Sequence, residues 1–306
     1  RVDVPGYYAR IMPPEMVEQT ESNLSDHPLN STRDRIDASP ADIVSPDALA
    51  LVRFGLRAPD DPKILDTIKV VDHITKVQTP FGLSWHRYNG DGYGEHHDGT
   101  PPSSQNRGCG RAWPLLTGER GHYELAAGHL DEVKALLHAM EHFAGSSGMI
   151  PEQIWDTADI PERNLFKGRP TGSAMPLVWA HGEYIKLRRS IQDGRVFDCP
   201  PLTARRYLED HIESDLTIWR FEHRPKSIRP GDLLRIEIQA AATIHWCVDG
   251  NIWRDVVSRD TGIGIHLSDL PTKTLRPGST IRFTFHWHEA NRWEGQDFSV
   301  PVDSQM

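Results

Sequence analysis

The stretch QDGRVFDCPPLTARRY, residues 192–207, separates two kinds of sequence. Before it, apolar residues recur at helical spacing. After it, short runs of β-branched and aromatic residues alternate with polar ones. Gly194 and the Pro200-Pro201 pair stop any helix that would run through. A boundary at 197/198 follows, with a helical part over 1–197 and a strand-rich part over 198–306. The expected fold class is α + β in separate domains.

Upstream, residues 1 to about 45 are polar and loop-dominated, with one short helix expected near Pro14 to Leu24. SPDALALVRFGLRA reads as a helix start, with Ser45 as N-cap, Pro46 in the first position and Asp47 on the N-terminal dipole. In DDPKILDTIKVVDHITKV, Ile64, Ile68, Val71 and Thr75 share one helical face. HLDEVKALLHAMEHFAG presents Val133, Leu136, Leu137 and Met140. SAMPLVWAHGEYIKLRRS is the last helix, with Pro176 early and Gly194 just past its end. No strand alternation is visible in this half. Five or six helices are too few to close a helical barrel, so they are expected to form one side of a larger toroid completed upstream of Arg1.

Downstream, LTIWRFEH, DLLRIEIQ, ATIHWCV, STIRFTFHW and DFSVPV read as strands. Arg229 to Gly231, Asp249-Gly250 and Arg276 to Gly278 are turn signals between them. This spacing predicts an antiparallel β-sandwich.

Bulk properties exclude several classes. The net charge of −9 over 306 residues argues against a nucleic-acid surface. No run of eighteen apolar residues exists, so no membrane helix is expected. Three widely spaced cysteines, Cys109, Cys199 and Cys247, form no CxxC pair and are expected as free thiols. The chain starts without Met or a charged-then-apolar leader, which reads as a piece of a longer or processed protein.

Chemistry-bearing residues concentrate in three loop clusters. SWHRYNGDGYGEHHDG, residues 84–99, interleaves Trp85, Arg87, Tyr88, Asn89, Asp91 and Tyr93 with glycines. Rings that stack on pyranose faces, beside fixed donors and acceptors, are what sugar recognition requires. GRAWPLLTGERGHYELAAG, residues 110–128, contributes Arg111, Trp113, Glu119, Arg120 and Tyr123 around a helix start. GMIPEQIWD, residues 148–156, places Glu152 beside an amide and an indole, where a helix-capping carboxylate is the alternative to a catalytic base. His96-His97-Asp98 lacks a third ligand at regular spacing and reads as solvated loop. His286 and His288 read as surface or packing histidines, and Glu119-Arg120 as a local ion pair. No motif calls for a cofactor or metal, and no Gly-x-Ser-x-Gly elbow is present.

PFGLSWHRYNGDGYGEHHDG, GRAWPLLTGERGHYELAAG, MIPEQIWD and GRPTGSAMPLVWAHGEYIKLRRS together resemble the glucoamylase family, glycoside hydrolase family 15, in its bacterial glucoamylase and glucodextranase branch. The resemblance covers roughly residues 40 to 195. It implies part of an (α/α)6 toroid, an α-glucan or oligosaccharide substrate, and hydrolysis from non-reducing ends with inversion. Inversion needs an acid for the leaving oxygen and a base for water, roughly 6.5–9.5 Å apart. By resemblance Glu152 is the base, Arg87 and Asp91 hold the terminal glucose, and Trp85, Tyr88 and Trp113 line the pocket. The family's acid motif has no counterpart between Arg1 and Trp85, so the N-terminal remainder of the catalytic domain is the expected partner. The strand-rich tail resembles a C-terminal β-domain of some bacterial relatives. An α-1,6 specificity, a phosphorylase, and a non-catalytic carbohydrate-binding or scaffolding role through Trp246, Trp253, Trp287 and Trp293 remain as alternatives. Secretion or periplasmic export fits such a hydrolase.

Overall fold

The computed structural model describes residues 2–9, 43–103 and 106–304. The helix expected over 14–24 lies outside them. The chain divides into two compact units, the first ending at Ile212 and the second beginning at Glu213. The division therefore falls later than the 197/198 boundary read from the periodicity. The reason is electrostatic: Asp198 is held by Arg53, with Arg53 Nη2 2.8 Å from Oδ2, which ties the segment after Gly194 to the helical unit.

In the helical unit, a 3-10 turn over Pro46–Leu49 leads into α1 (Ala50–Arg53). Ser45 occupies the expected N-cap, but its hydroxyl donates to Asp47 Oδ2 rather than capping the backbone. α2 (Pro62–Thr75) starts on Asp61, whose carboxylate accepts from the backbone N–H groups of Lys63 and Ile64. Ile64, Val71 and Thr75 face the core.

α2 stops before the expected Val77. Residues 76–85 instead make a hairpin of β1 (Lys76–Thr79) and β2 (Gly82–Trp85), so the helical half does contain strands. Pro80 cannot continue a helix, and its four-residue flanks are too short to display a period of two.

α3 (Pro114–Ala126), α4 (Leu130–Phe143) and α5 (Val178–Asp193) complete the main helices. Pro176 precedes α5 through a cis bond after Met175, outside the helix rather than in its first turn. Gly194 ends α5 in the left-handed region at φ 66°. Trp85, Trp113, Val133, Leu136, Met140 and Leu187 share the principal core of this unit. A short α6 (Pro201–Ala204) follows.

In the second unit, β3 (Leu216–Trp219), β4 (Leu233–Ile238), β8 (His266–Leu270) and β7 (Arg259–Asp260) form one sheet in that order. The other contains β5 (Ala242–Val248), β6 (Arg254–Val257), β9 (Thr280–Trp287), β10 (Arg292–Trp293) and β11 (Phe298–Pro301). Trp219, Leu234, Ile236 and Leu270 from the first sheet meet Ile244, Trp246, Phe283, Phe285 and Val300 from the second in one apolar cluster. β3 and β4 pair in parallel, contrary to an all-antiparallel expectation. Residues 220–232, with Pro225 and Pro230, form a return crossover instead of a hairpin turn. The Asp249-Gly250 turn after β5 has both residues at positive φ, 51° and 72°, where glycine and aspartate are tolerated.

Candidate active site

Backbone bridges bring the three loop clusters together. Trp85 pairs with Trp113, Ala112 with Ile154, and Ile154 with Pro170. The Trp113 N–H donates to the Trp85 carbonyl at 2.9 Å, and the Ile154 N–H to the Ala112 carbonyl at 3.0 Å. Segments separated widely in sequence thus lie side by side.

A buried carboxylate fastens them. Asp156 Oδ1 accepts from Arg111 Nη1 at 2.8 Å, and Oδ2 from the Ala112 N–H at 3.0 Å. His86 Nε2 stands 2.6 Å from the same Oδ2. Burial pulls the Asp156 carboxyl upward, but His86 and then Arg111 outweigh it and hold the group below its ordinary value. Arg111 also donates to the carbonyls of Glu95 and His96, both at 2.7 Å from Nη2, and its guanidinium lies 4.1 Å from the Trp155 ring centre. Gln153 Nε2 donates to the Tyr93 carbonyl at 2.9 Å. Asp156 was not among the expected site residues, and Arg111 was expected in its loop cluster without a role. Their signal was a carboxylate and a guanidinium inside two aromatic, Gly- and Pro-rich loops, where an unpaired charge could not be buried.

On this frame sit Glu152 and the Arg87 cluster. Glu152 is half-buried, its backbone N–H donating to the Ala174 carbonyl at 2.8 Å. Arg87 and Asp91 form a two-pronged ion pair, with Nε to Oδ2 and Nη2 to Oδ1 both at 2.8 Å. Burial lowers the Arg87 pKa, while the Asp91 hydrogen bond and charge outweigh it and raise the net value. The Arg87 guanidinium lies 4.8 Å from the Trp113 ring centre, 5.1 Å from Tyr93 and 5.6 Å from Tyr88. Tyr93, itself 43% exposed, donates its hydroxyl to Glu152 Oε2 at 3.2 Å. Arg87, Asp91, Tyr88, Trp113 and Glu152 are therefore one connected group, and Tyr93 is the link sequence reading left unassigned.

Trp85 departs from expectation. It is 2% exposed, its indole N–H donates to Asp72 Oδ1 at 3.0 Å, and the Arg120 guanidinium covers its ring at 5.2 Å. Its indole belongs to the core, and only its backbone reaches the site. The expected Glu119-Arg120 pair is also replaced, because Arg120 turns to Asp72 and Glu124, each at 2.6 Å. His97, expected in solvated loop, stands with Nε2 3.3 Å from the Cys109 thiol. His288 Nε2 lies 2.8 Å from Thr243 Oγ1. A groove of about 740 Å³ on α4 and α5, lined by Leu137, Glu141 and Tyr184 among others, shares no residue with the Glu152 group.

Among the described residues, no group of three or more His, Cys, Asp or Glu side chains is arranged to hold a metal ion. No described helix is long and apolar enough to cross a membrane.

Residues 18–189 match the model of glycosyl hydrolases family 15. The chain belongs to this family. A glucoamylase from Clostridium sp. (strain G0005) is 48% identical over 170 residues, which are 55% of this chain and 22% of the relative. The chain thus spans about a fifth of that relative's length. A crystal structure of a bacterial glucoamylase complexed with acarbose is similar at 44% identity and a TM-score of 0.51, covering 59% of this chain and 25% of that one. A further solved glycosidase is 26% identical, with a TM-score of 0.36, over 49% of this chain and 36% of its own. The family 15 match contains all three loop clusters and ends inside α5.

Proposed function

We propose that the chain carries the general base and part of the sugar pocket of an inverting, exo-acting α-glucosidase of the glucoamylase type, which releases glucose from non-reducing ends of α-glucans. The observation that carries this reading is the link from the Glu152 carboxylate through Tyr93 to the Arg87–Asp91 pair. The base role needs a carboxylate accessible to water, and Glu152 is half-buried. Sugar recognition needs fixed charge-assisted hydrogen-bonding groups beside aromatic rings: Arg87 stands beside Tyr88, with the buried Asp91 and Trp113 backing its guanidinium rather than facing solvent. The relative captured with acarbose supports an oligosaccharide-like ligand. The helical unit is read as part of an (α/α)6 toroid, and the two-sheet unit as a β-sandwich accessory domain. An inverting pair also needs a second carboxyl group to protonate the leaving oxygen.

Glu152→Gln in the full-length protein preserves shape and removes the base. Turnover on maltooligosaccharide is expected to fall by about 10²-fold or more with KM little changed. Activity within a few-fold of the parent would assign Glu152 a structural role. The 306-residue chain alone is expected to release no glucose. Rapid release by that chain would overturn the division of labour. Rates on maltotriose and isomaltotriose then decide between α-1,4 and α-1,6 specificity.

A further inference from the structure

We propose that Glu95 is a positioning residue for Glu152, clamping the segment over 171–174 on which the Glu152 backbone hangs. This role rests on the hydrolase reading, in which Glu152 is the base.

Residues 152–155 and 168–174 run side by side as an irregular ladder. The Trp155 N–H donates to the Arg169 carbonyl at 2.8 Å, the Thr171 N–H to the Gln153 carbonyl at 3.2 Å, and the Glu152 N–H to the Ala174 carbonyl at 2.8 Å. The Gln153 N–H donates to Ser173 Oγ at 3.0 Å. One N–H within this run finds its partner elsewhere: Gly172 donates to Glu95 Oε1 at 2.6 Å, across 77 residues of chain. Gly172, Ala174, Met175 and Pro176 are exposed, so packing holds this end of the ladder weakly, and the buried Glu95 carboxylate holds it instead. Glycine permits the approach, since a Cβ at 172 would lie 3.1 Å from Glu95 Oε1.

Glu95 is itself well fixed. Its carbonyl accepts from Arg111 Nε and Nη2 at 3.1 and 2.7 Å, so the frame around Asp156 sets where its side chain starts. The residue is 8% exposed, and Oε2 is shielded from solvent with no hydrogen-bond partner among the described residues. Burying a carboxylate with one oxygen unpaired costs stability, so stability alone gives no reason for it. A charged acceptor does hold the Gly172 N–H more strongly than a neutral one. Tyr93, two residues earlier, donates to the Glu152 carboxylate. Residues 93 and 95 thus grip the base from its side chain and, through 171–174, from its backbone, the support that a placed general base requires.

Steady-state kinetics of the full-length protein on maltotriose test the role. Glu95→Ala is expected to lower kcat about tenfold or more, the scale of one lost charge-assisted hydrogen bond. KM is expected to stay within about threefold, because the Arg87–Asp91 bonds do not involve the 171–174 segment. Glu95→Gln keeps an acceptor for Gly172 and is expected to bring kcat back to within about threefold of the parent. Ser173→Ala loosens the same segment, so combining it with Glu95→Ala is expected to cost less than the product of the two single losses. An unchanged kcat in Glu95→Ala, a loss carried by KM instead of kcat, no recovery in Glu95→Gln, or losses that multiply would overturn the proposal. Turnover kept in Glu152→Gln removes the hydrolase reading and this role with it. Turnover lost in Glu152→Gln but kept in Glu95→Ala removes this role alone.

Discussion

The phenol of Tyr93 donates to Oε2 of Glu152 at 3.2 Å across 59 residues of chain. Burial first, and then the Glu152 charge, raise the Tyr93 pKa above its ordinary value, so the phenol stays a donor at neutral pH. A fixed donor on one oxygen orients the carboxylate. Tyr93→Phe keeps the ring against Arg87 and Trp113 and removes only the hydroxyl. In the full-length protein, kcat is expected to fall about three- to tenfold, in line with an exposed hydrogen bond to a charged group. KM stays within about threefold. Steady-state kinetics on maltotriose check this, and an unchanged kcat would dismiss Tyr93 as a positioning group.

Asp91 is held from behind by glycine backbone. A Cβ on Gly110 would lie 2.4 Å from the Asp91 Cβ, a distance that neither group can accept without movement. Gly110→Ala is therefore expected to displace Asp91 and splay the Arg87 pair. The predicted result is a KM at least about tenfold higher, the equivalent of losing one charge-assisted hydrogen bond. Isothermal titration with acarbose gives the same answer without turnover. Affinity within twofold of the parent would show that the pair does not hold sugar.

Glu119 titrates where most carboxylates do not. Desolvation, followed by the nearby Glu183 charge, raises its pKa from 4.5 to about 7. Between those values the native state holds a proton that the unfolded chain has released. Stability therefore falls as pH rises from about 4.5 to 7, and the loss is complete above 7, reaching up to about 3 kcal/mol. Glu183 and Asp198 have lowered values and work in the opposite sense at more acidic pH, so the comparison must be with a variant. Glu119→Gln is expected to match the parent near pH 4.5 and to exceed it at pH 8. Urea unfolding at the two pH values checks the sign.

The α-to-β change at residues 192–207 was legible because Gly194, Pro200 and Pro201 are local stop signals and the periodicity changes over long windows. The hairpin over 76–85 was not, because each strand has only four residues and sits directly behind a helix of good periodicity. Glu152, Arg87 and Asp91 could be picked out by motif. Their grouping could not, since it depends on the Ala112–Ile154 bridge and the buried Asp156, both set by tertiary contacts. Trp85 misled for the same reason: an indole in an aromatic loop reads as pocket wall until Asp72, a turn before the end of α2, is seen to accept its N–H. The boundary moved because an ion pair leaves no periodic trace.

That ion pair gives the last test. Arg53 Nη1 donates to Glu183 Oε1 at 2.7 Å, while Nε and Nη2 reach Asp198 at 3.2 and 2.8 Å. Burial lowers the Arg53 pKa, but Asp198 and Glu183 raise it further, so the cation persists. Arg53→Met fills similar volume and leaves two shielded carboxylates short of a partner, His122 and Lys186 being what remains to them. Removing one member of a buried pair costs about 3–5 kcal/mol. The expected result is that loss in urea unfolding, with new protease cleavage within residues 198–212 as the segment detaches. Adding Asp198→Asn to Arg53→Met removes one orphaned charge and is expected to restore about 1 kcal/mol or more, a coupling that independent sites would not show. Additive losses would mean that Asp198 does not depend on Arg53, and that 198–212 is fixed to the helical unit by packing alone.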